Sequence, residues 1–240
     1  MNAKLELNPT NDGNAELLVY GEIGDPYDGI TGRQVAELVA TVAKDAEVIN
    51  VRINSRGGSA SEGVAIHNVL LQHPARIEVD VDSIAASAAS VIAMAGDTIR
   101  MGPATLMMIH GPRAGLQGYY TGAELLEAAE YLDKTANSVA EIYAGRSGKP
   151  LGEIIQLLES TSWFDGQEAI EAGFATEVTD RPPVAASLDC PLLGEVPADK
   201  RERFEAATMK QPSDPMPSRS ATLEIDQRLR LARGRSRSTV

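Results

Sequence analysis

The chain is poor in several things, and each shortage excludes a class of protein. It has one cysteine, Cys190, in 240 residues. That rules out an internal disulfide and a multi-cysteine metal site, and it fits a reducing compartment. Aromatic residues make up only 4% while Ala and Gly are plentiful, so the core must be built from closely approaching backbones rather than stacked rings. The longest apolar run, residues 84–96, falls short of the roughly 18 residues that a membrane span needs. The opening MNAKLELNPTNDGNAELL lacks the apolar stretch of a secretory signal, so the expectation is a cytoplasmic protein with no membrane partner. Basic residues are outnumbered, 22 against 34, and the net charge of −12 argues against a nucleic-acid-binding surface spread over the whole molecule.

What is present alternates. Strands are expected at 15–23 (AELLVYGEI), 47–55 (EVINVRINS) and 76–84 (RIEVDVDSI), with shorter ones in TIRM, ATLMMIH and FATEV. Between them lie helical stretches. One is opened by the Thr31/Gln34 capping box, one follows RGGS, and a long one, opened by Thr121 and Glu124, runs to about Tyr143. A further helix covers 151–159 and a short one follows WFD. Strands alternating with helices indicate an α/β fold with largely parallel pairing. Residues 1–14, punctuated by Asn-Pro and Asp-Gly, read as an irregular arm; residues 15–180 form the domain. From Arg181 the chain turns rich in Pro, Ser and Ala and ends in QRLRLARGRSRSTV with five arginines, so 181–240 is expected to be a flexible tail whose basic end suits an acidic partner or nucleic acid.

Three local features carry chemistry. Gly57-Gly58 sits where a strand turns into a helix, and paired glycines there offer free amides to an oxyanion. Ser87, in SIAASAASVIAMAGD, stands where the next strand gives way to a helix, followed by the amide of Ala88. His110 ends an apolar strand and precedes Gly-Pro. Each has a plain alternative: a tight connection, a helix cap and a structural histidine. Ser90, one turn beyond Ser87, reads as packing; His67 and His73 read as solvent-facing.

In order and spacing, INSRGGS (53–59), AASAASVIAMAG (85–96), MMIHGP (107–112) and SWFDGQEAIEAGFATEV (162–178) together resemble the Clp proteases, the ClpP-like serine peptidases, across about 130 residues. The resemblance implies a ClpP/crotonase-like fold of repeated strand-strand-helix units with a long protruding helix. It implies Ser87 as nucleophile, His110 as general base, and the amides of Gly58 and Ala88 as the oxyanion hole, with no cofactor or metal. It also implies a ring-forming homo-oligomer, to which the long helix, with Leu125, Leu126, Ala129, Leu132 and Val139, could contribute contacts.

Two departures stand out. Arg56 replaces a proline often found before the paired glycines, which puts a donor-rich side chain beside the hole. The family's acidic third position, counted back from Glu168-Ala169, falls on Thr161, which has no carboxylate; Glu159 is the runner-up and Asp165 a further candidate. The segment SIAASAASVIAMAGD (83–97), the Trp-Phe pair and the extended tail resemble the bacteriophage branch, whose members clip scaffold and capsid proteins inside the prohead in the host cytoplasm. The alternatives are a proteolytic subunit working with an ATP-dependent unfoldase, and a catalytically weak scaffold homologue. A crotonase-type acyl-CoA enzyme is disfavoured by the serine and histidine.

Overall fold

The sheet is organised by a strict alternation. In the computed structural model, which describes residues 3–25, 29–180 and 196–202, Leu17, Val51, Val79 and Ile99 face one another across four adjacent parallel strands, all fully buried. One residue on, Leu18, Arg52, Asp80 and Arg100 form the matching row on the opposite face. A period of two places apolar and polar rows on opposite sides of the pleat. The strands are β2 (Ala15–Ile23), β3 (Val48–Gly58), β4 (Arg76–Ala86) and β5 (Thr98–Met101). On the apolar side the core is completed by α1 (Gly32–Val42) with Val35 and Val39, α2 (Ala60–Leu71) with Ile66 and Leu70, and α3 (Ala88–Ala93) with Val91 and Ile92. On the polar side Arg52 pairs with Asp82 and Glu16, and Arg100 pairs with Glu78 and Glu177.

β4 is where the sheet forks. Its first half pairs with β5; its second half pairs in parallel with β6 (Leu106–Ile109), which in turn runs antiparallel to β7 (Ser162–Phe164). The long helix α4 (Gly122–Ser147) ends at Gly148 in the left-handed conformation that glycine adopts without strain. It is followed by α5 (Leu151–Glu159), α6 (Gly166–Ala172) and the short β8 (Glu177–Val178). The fold is the expected mixed α/β one, with a mostly parallel sheet. Both threonine capping boxes form as expected, at Thr31 and at Thr121.

Three expectations need correction. The segment expected as an irregular arm contains a strand: β1 (Lys4–Pro9) pairs antiparallel with β2, with Leu7 buried against the core. The Asp-Gly pair that suggested a break is the hairpin turn itself, closed by the Thr10 amide donating to the Asn14 carbonyl at 2.8 Å. The segment beyond Arg181 is not all tail. Val196 is buried against Trp163 and Leu106, residues 198–202 are helical, and Lys200 pairs with Glu168. Cys190 and the arginine-rich end lie outside the described residues. Finally, His67 does not face solvent: it is 7% exposed on α2, and burial holds its imidazole below the usual histidine value.

Candidate active site

Three parallel strands end side by side, and each delivers one element of the site. β3 ends in Gly57-Gly58, β4 in Ala86 just before Ser87, and β6 in Ile109 just before His110. Because Ala86 lies opposite Met108 across the β4–β6 pair, Ser87, one residue on, and His110, two residues on, leave the two strands beside each other. The imidazole Nε2 of His110 lies 2.8 Å from the Ser87 hydroxyl. The carboxyl ends of parallel strands are where α/β proteins carry their sites.

Ser87 occupies a tight turn with φ 55° and ψ −125°, a conformation that costs a non-glycine residue about 1–3 kcal/mol. The turn is pinned from several sides. The Ser87 amide donates to the Met108 carbonyl at 2.9 Å. The Ser90 hydroxyl lies 2.7 Å from the Ser87 carbonyl, 2.8 Å from the Met108 carbonyl and 2.7 Å from the Tyr143 hydroxyl. Burial pushes the Tyr143 phenol well above its usual pKa, so it stays neutral and able to donate. Ser90 is therefore more than packing: its hydroxyl clasps the strand, the turn and α4. One hint of this was legible in the sequence, a polar residue in an apolar run that must find partners when buried.

The glycines are explained by what lies against them. A Cβ on Gly57 would stand 2.7 Å from the Ser87 Cβ and 2.8 Å from the Ala88 nitrogen, so this strand end must stay bare for the serine turn to close on it. Gly58 has φ 143° and its absent Cβ would meet the Ile23 carbonyl oxygen at 2.1 Å. Ala88, the first residue of α3, carries an amide with no acceptor inside the helix. Ser87, His110 and Gly58 line one cleft of about 410 Å³, together with Arg56, Arg113 and, from α4, Tyr131 and Leu132.

The candidates for a third member are placed differently. Thr161 lies in the turn between α5 and β7 with φ 54°, rare for a β-branched residue, and its hydroxyl accepts a hydrogen bond from Arg113 Nη2 at 3.3 Å. The His110 loop is tied to this region through the Gly111 amide, which donates to the Leu158 carbonyl at 3.0 Å. Glu159 is exposed at the end of α5. Asp165 caps α6, accepting from the Glu168 amide at 2.9 Å. Sequence reasoning did not single out Arg113 or Tyr143; nothing in their local pattern marks them, since only the fold brings them to the cleft and the turn.

A serine in a strained strand-to-helix turn, bonded to a histidine at the ends of parallel strands, is the arrangement on which α/β serine hydrolases are built. The Clp protease family model matches residues 15–182, and the chain belongs to that family. It is 30% identical over 181 residues to an ATP-dependent Clp protease proteolytic subunit of Streptococcus salivarius, covering 70% of this chain and 92% of the relative. Against the subunit of the same name from Streptococcus thermophilus it is 32% identical over 158 residues, covering 65% and 81%. In fold it is similar to a single-residue mutant of ClpP1 from Listeria monocytogenes, with a TM-score of 0.60 and 22% identity over 69% of this chain and 91% of that one.

Proposed function

We propose that the chain is a serine peptidase subunit in which Ser87 is the nucleophile, His110 the general base, and the Gly58 and Ala88 amides the oxyanion hole. The observation that carries this reading is the 2.8 Å contact between His110 Nε2 and the Ser87 hydroxyl at a strained turn. His110 takes the hydroxyl proton as the serine oxygen attacks a peptide carbonyl. The two amides hold the resulting oxyanion, and His110 returns the proton to the departing amine. Water then repeats the sequence on the acyl-enzyme and releases the second product. Thr161, held by Arg113, takes the third position without a carboxylate. Ser87→Ala should abolish cleavage of an unstructured peptide while leaving the circular dichroism spectrum unchanged. Cleavage surviving in that variant would transfer the activity elsewhere and leave the chain as a scaffold homologue.

The relatives named above are proteolytic subunits of ATP-dependent proteases, and they support a ring homo-oligomer fed by an unfoldase more than they support a head-maturation protease acting on scaffold and capsid proteins. ATP-dependent loss of a folded, tagged substrate in the presence of a Clp unfoldase is the outcome expected. Processing of co-assembled capsid protein without ATP would favour head maturation instead.

A further inference from the structure

The cleft around Ser87 has a charge opposite to that of the molecule. In a chain with 34 acidic and 22 basic residues, its lining contains, among the described residues, two guanidiniums, Arg56 and Arg113, and no Asp or Glu. The two differ from most other described arginines. Arg33, Arg52, Arg76 and Arg100 each lie against a carboxylate. Arg56 and Arg113 make no ion pair among the described residues, and Arg113 is steadied only by the neutral Thr161 hydroxyl. Arg56 stands on β3 just before the paired glycines and Arg113 three residues past His110, beyond the end of β6; β3 and β6 both pair with β4, which leads to Ser87, and both arginines line its cleft. A peptide threaded past Ser87 thus meets two uncompensated cations.

We propose that Arg56 and Arg113 are specificity determinants that select peptides carrying Asp or Glu within three residues of the scissile bond. The proposal rests on Ser87 being the nucleophile. A guanidinium offers a planar fork of donors that matches a carboxylate and makes short charge-assisted bonds to it. An apolar side chain leaves both cations to solvent at no cost and is tolerated; a lysine is repelled. The field of the acidic molecule would by itself disfavour acidic substrates, so two free arginines at the cleft reverse the local preference.

The test uses internally quenched peptides of one sequence with Glu, Gln or Lys at each of the three positions on either side of the scissile bond. The expected result is a kcat/KM about tenfold higher for Glu than for Gln at one position or more, the size of one charge-assisted bond. Lys should fall below Gln, and the Glu advantage should shrink as salt is raised past about 0.1 M. In the Arg56→Gln/Arg113→Gln double variant the Glu-to-Gln ratio should fall to about one; because the ratio is taken within each protein, a partly folded variant does not distort it. Equal rates for Glu and Gln at every position, or a ratio that persists in the double variant, overturn the proposal. If no peptide is cut, the same set is used to slow fluorophosphonate labelling of Ser87. Stronger protection by Glu peptides supports the selection, and equal protection overturns it with the nucleophile intact. Failure of Ser87 to label at all removes the nucleophile and the selection together.

Discussion

With Ser87 and His110 acting as proposed, Thr161 at the third position sets the expected rate. A carboxylate behind the histidine steadies the imidazolium that forms during attack, and in chymotrypsin-type enzymes replacing it by an amide costs about 10⁴ in kcat. Here the position carries a hydroxyl already engaged by Arg113, on a β-branched residue held at φ 54°. Thr161→Asp should raise kcat by about tenfold or more, because it supplies charge and because Asp tolerates the left-handed conformation better than Thr. Glu159→Ala, at an exposed helix end, should change kcat by less than about twofold. Steady-state kinetics on one peptide checks both. Loss of turnover in a folded Glu159→Ala protein would make Glu159 the third member. At this scale the sequence was legible where chemistry is local: Ser87, His110 and the glycines each bear a turn signature. Arg113 and Tyr143 were not legible, because their roles arise from contacts 48 and 53 residues away in sequence.

At the scale of elements, the short helix α3 is held by a hydroxyl clasp as well as by its buried Val91 and Ile92. Ser90 and Tyr143 join it to β6 and to α4 with hydroxyls buried from water. Ser90→Ala should lower stability by about 1–3 kcal/mol, because the Tyr143 hydroxyl is left buried with a partner lost. Tyr143→Phe removes the other half at similar cost. The double variant should be less destabilised than the sum of the singles by about 0.5 kcal/mol or more. Chemical denaturation at one fixed protein concentration measures all three, and strict additivity would show that the clasp carries no shared energy. The long strands were readable from their alternation, and α1 and α4 from their capping boxes. β1 was missed because the Asn-Pro and Asp-Gly pairs that close its hairpin also look like breaks. Likewise α4 outran its expected end because the αL glycine that stops it stands at Gly148, past the last strongly apolar position.

For the whole molecule, the open question is what the outer part of α4 is for. Its carboxyl-terminal part buries Val139, Ala140 and Tyr143, whereas Leu125 and Leu126 are 46% and 69% exposed. A helix apolar on a face its own subunit leaves bare suits contact with another copy, as the family's rings require. The full chain should therefore sediment as a ring several times the 25.5 kDa protomer, and Leu125→Glu/Leu126→Glu should shift it to smaller species. A wild-type monomer at micromolar concentration in light scattering would contradict that assembly.

Whether Ser87 is the reacting group is read out by treating the protein with a fluorophosphonate and locating the adduct by mass spectrometry. The 2.8 Å contact between His110 Nε2 and the Ser87 hydroxyl predicts a single adduct on Ser87, lost in His110→Ala. An adduct on Ser83 or Ser90 with Ser87 unmodified, or no adduct on a folded protein, would overturn Ser87 as the nucleophile.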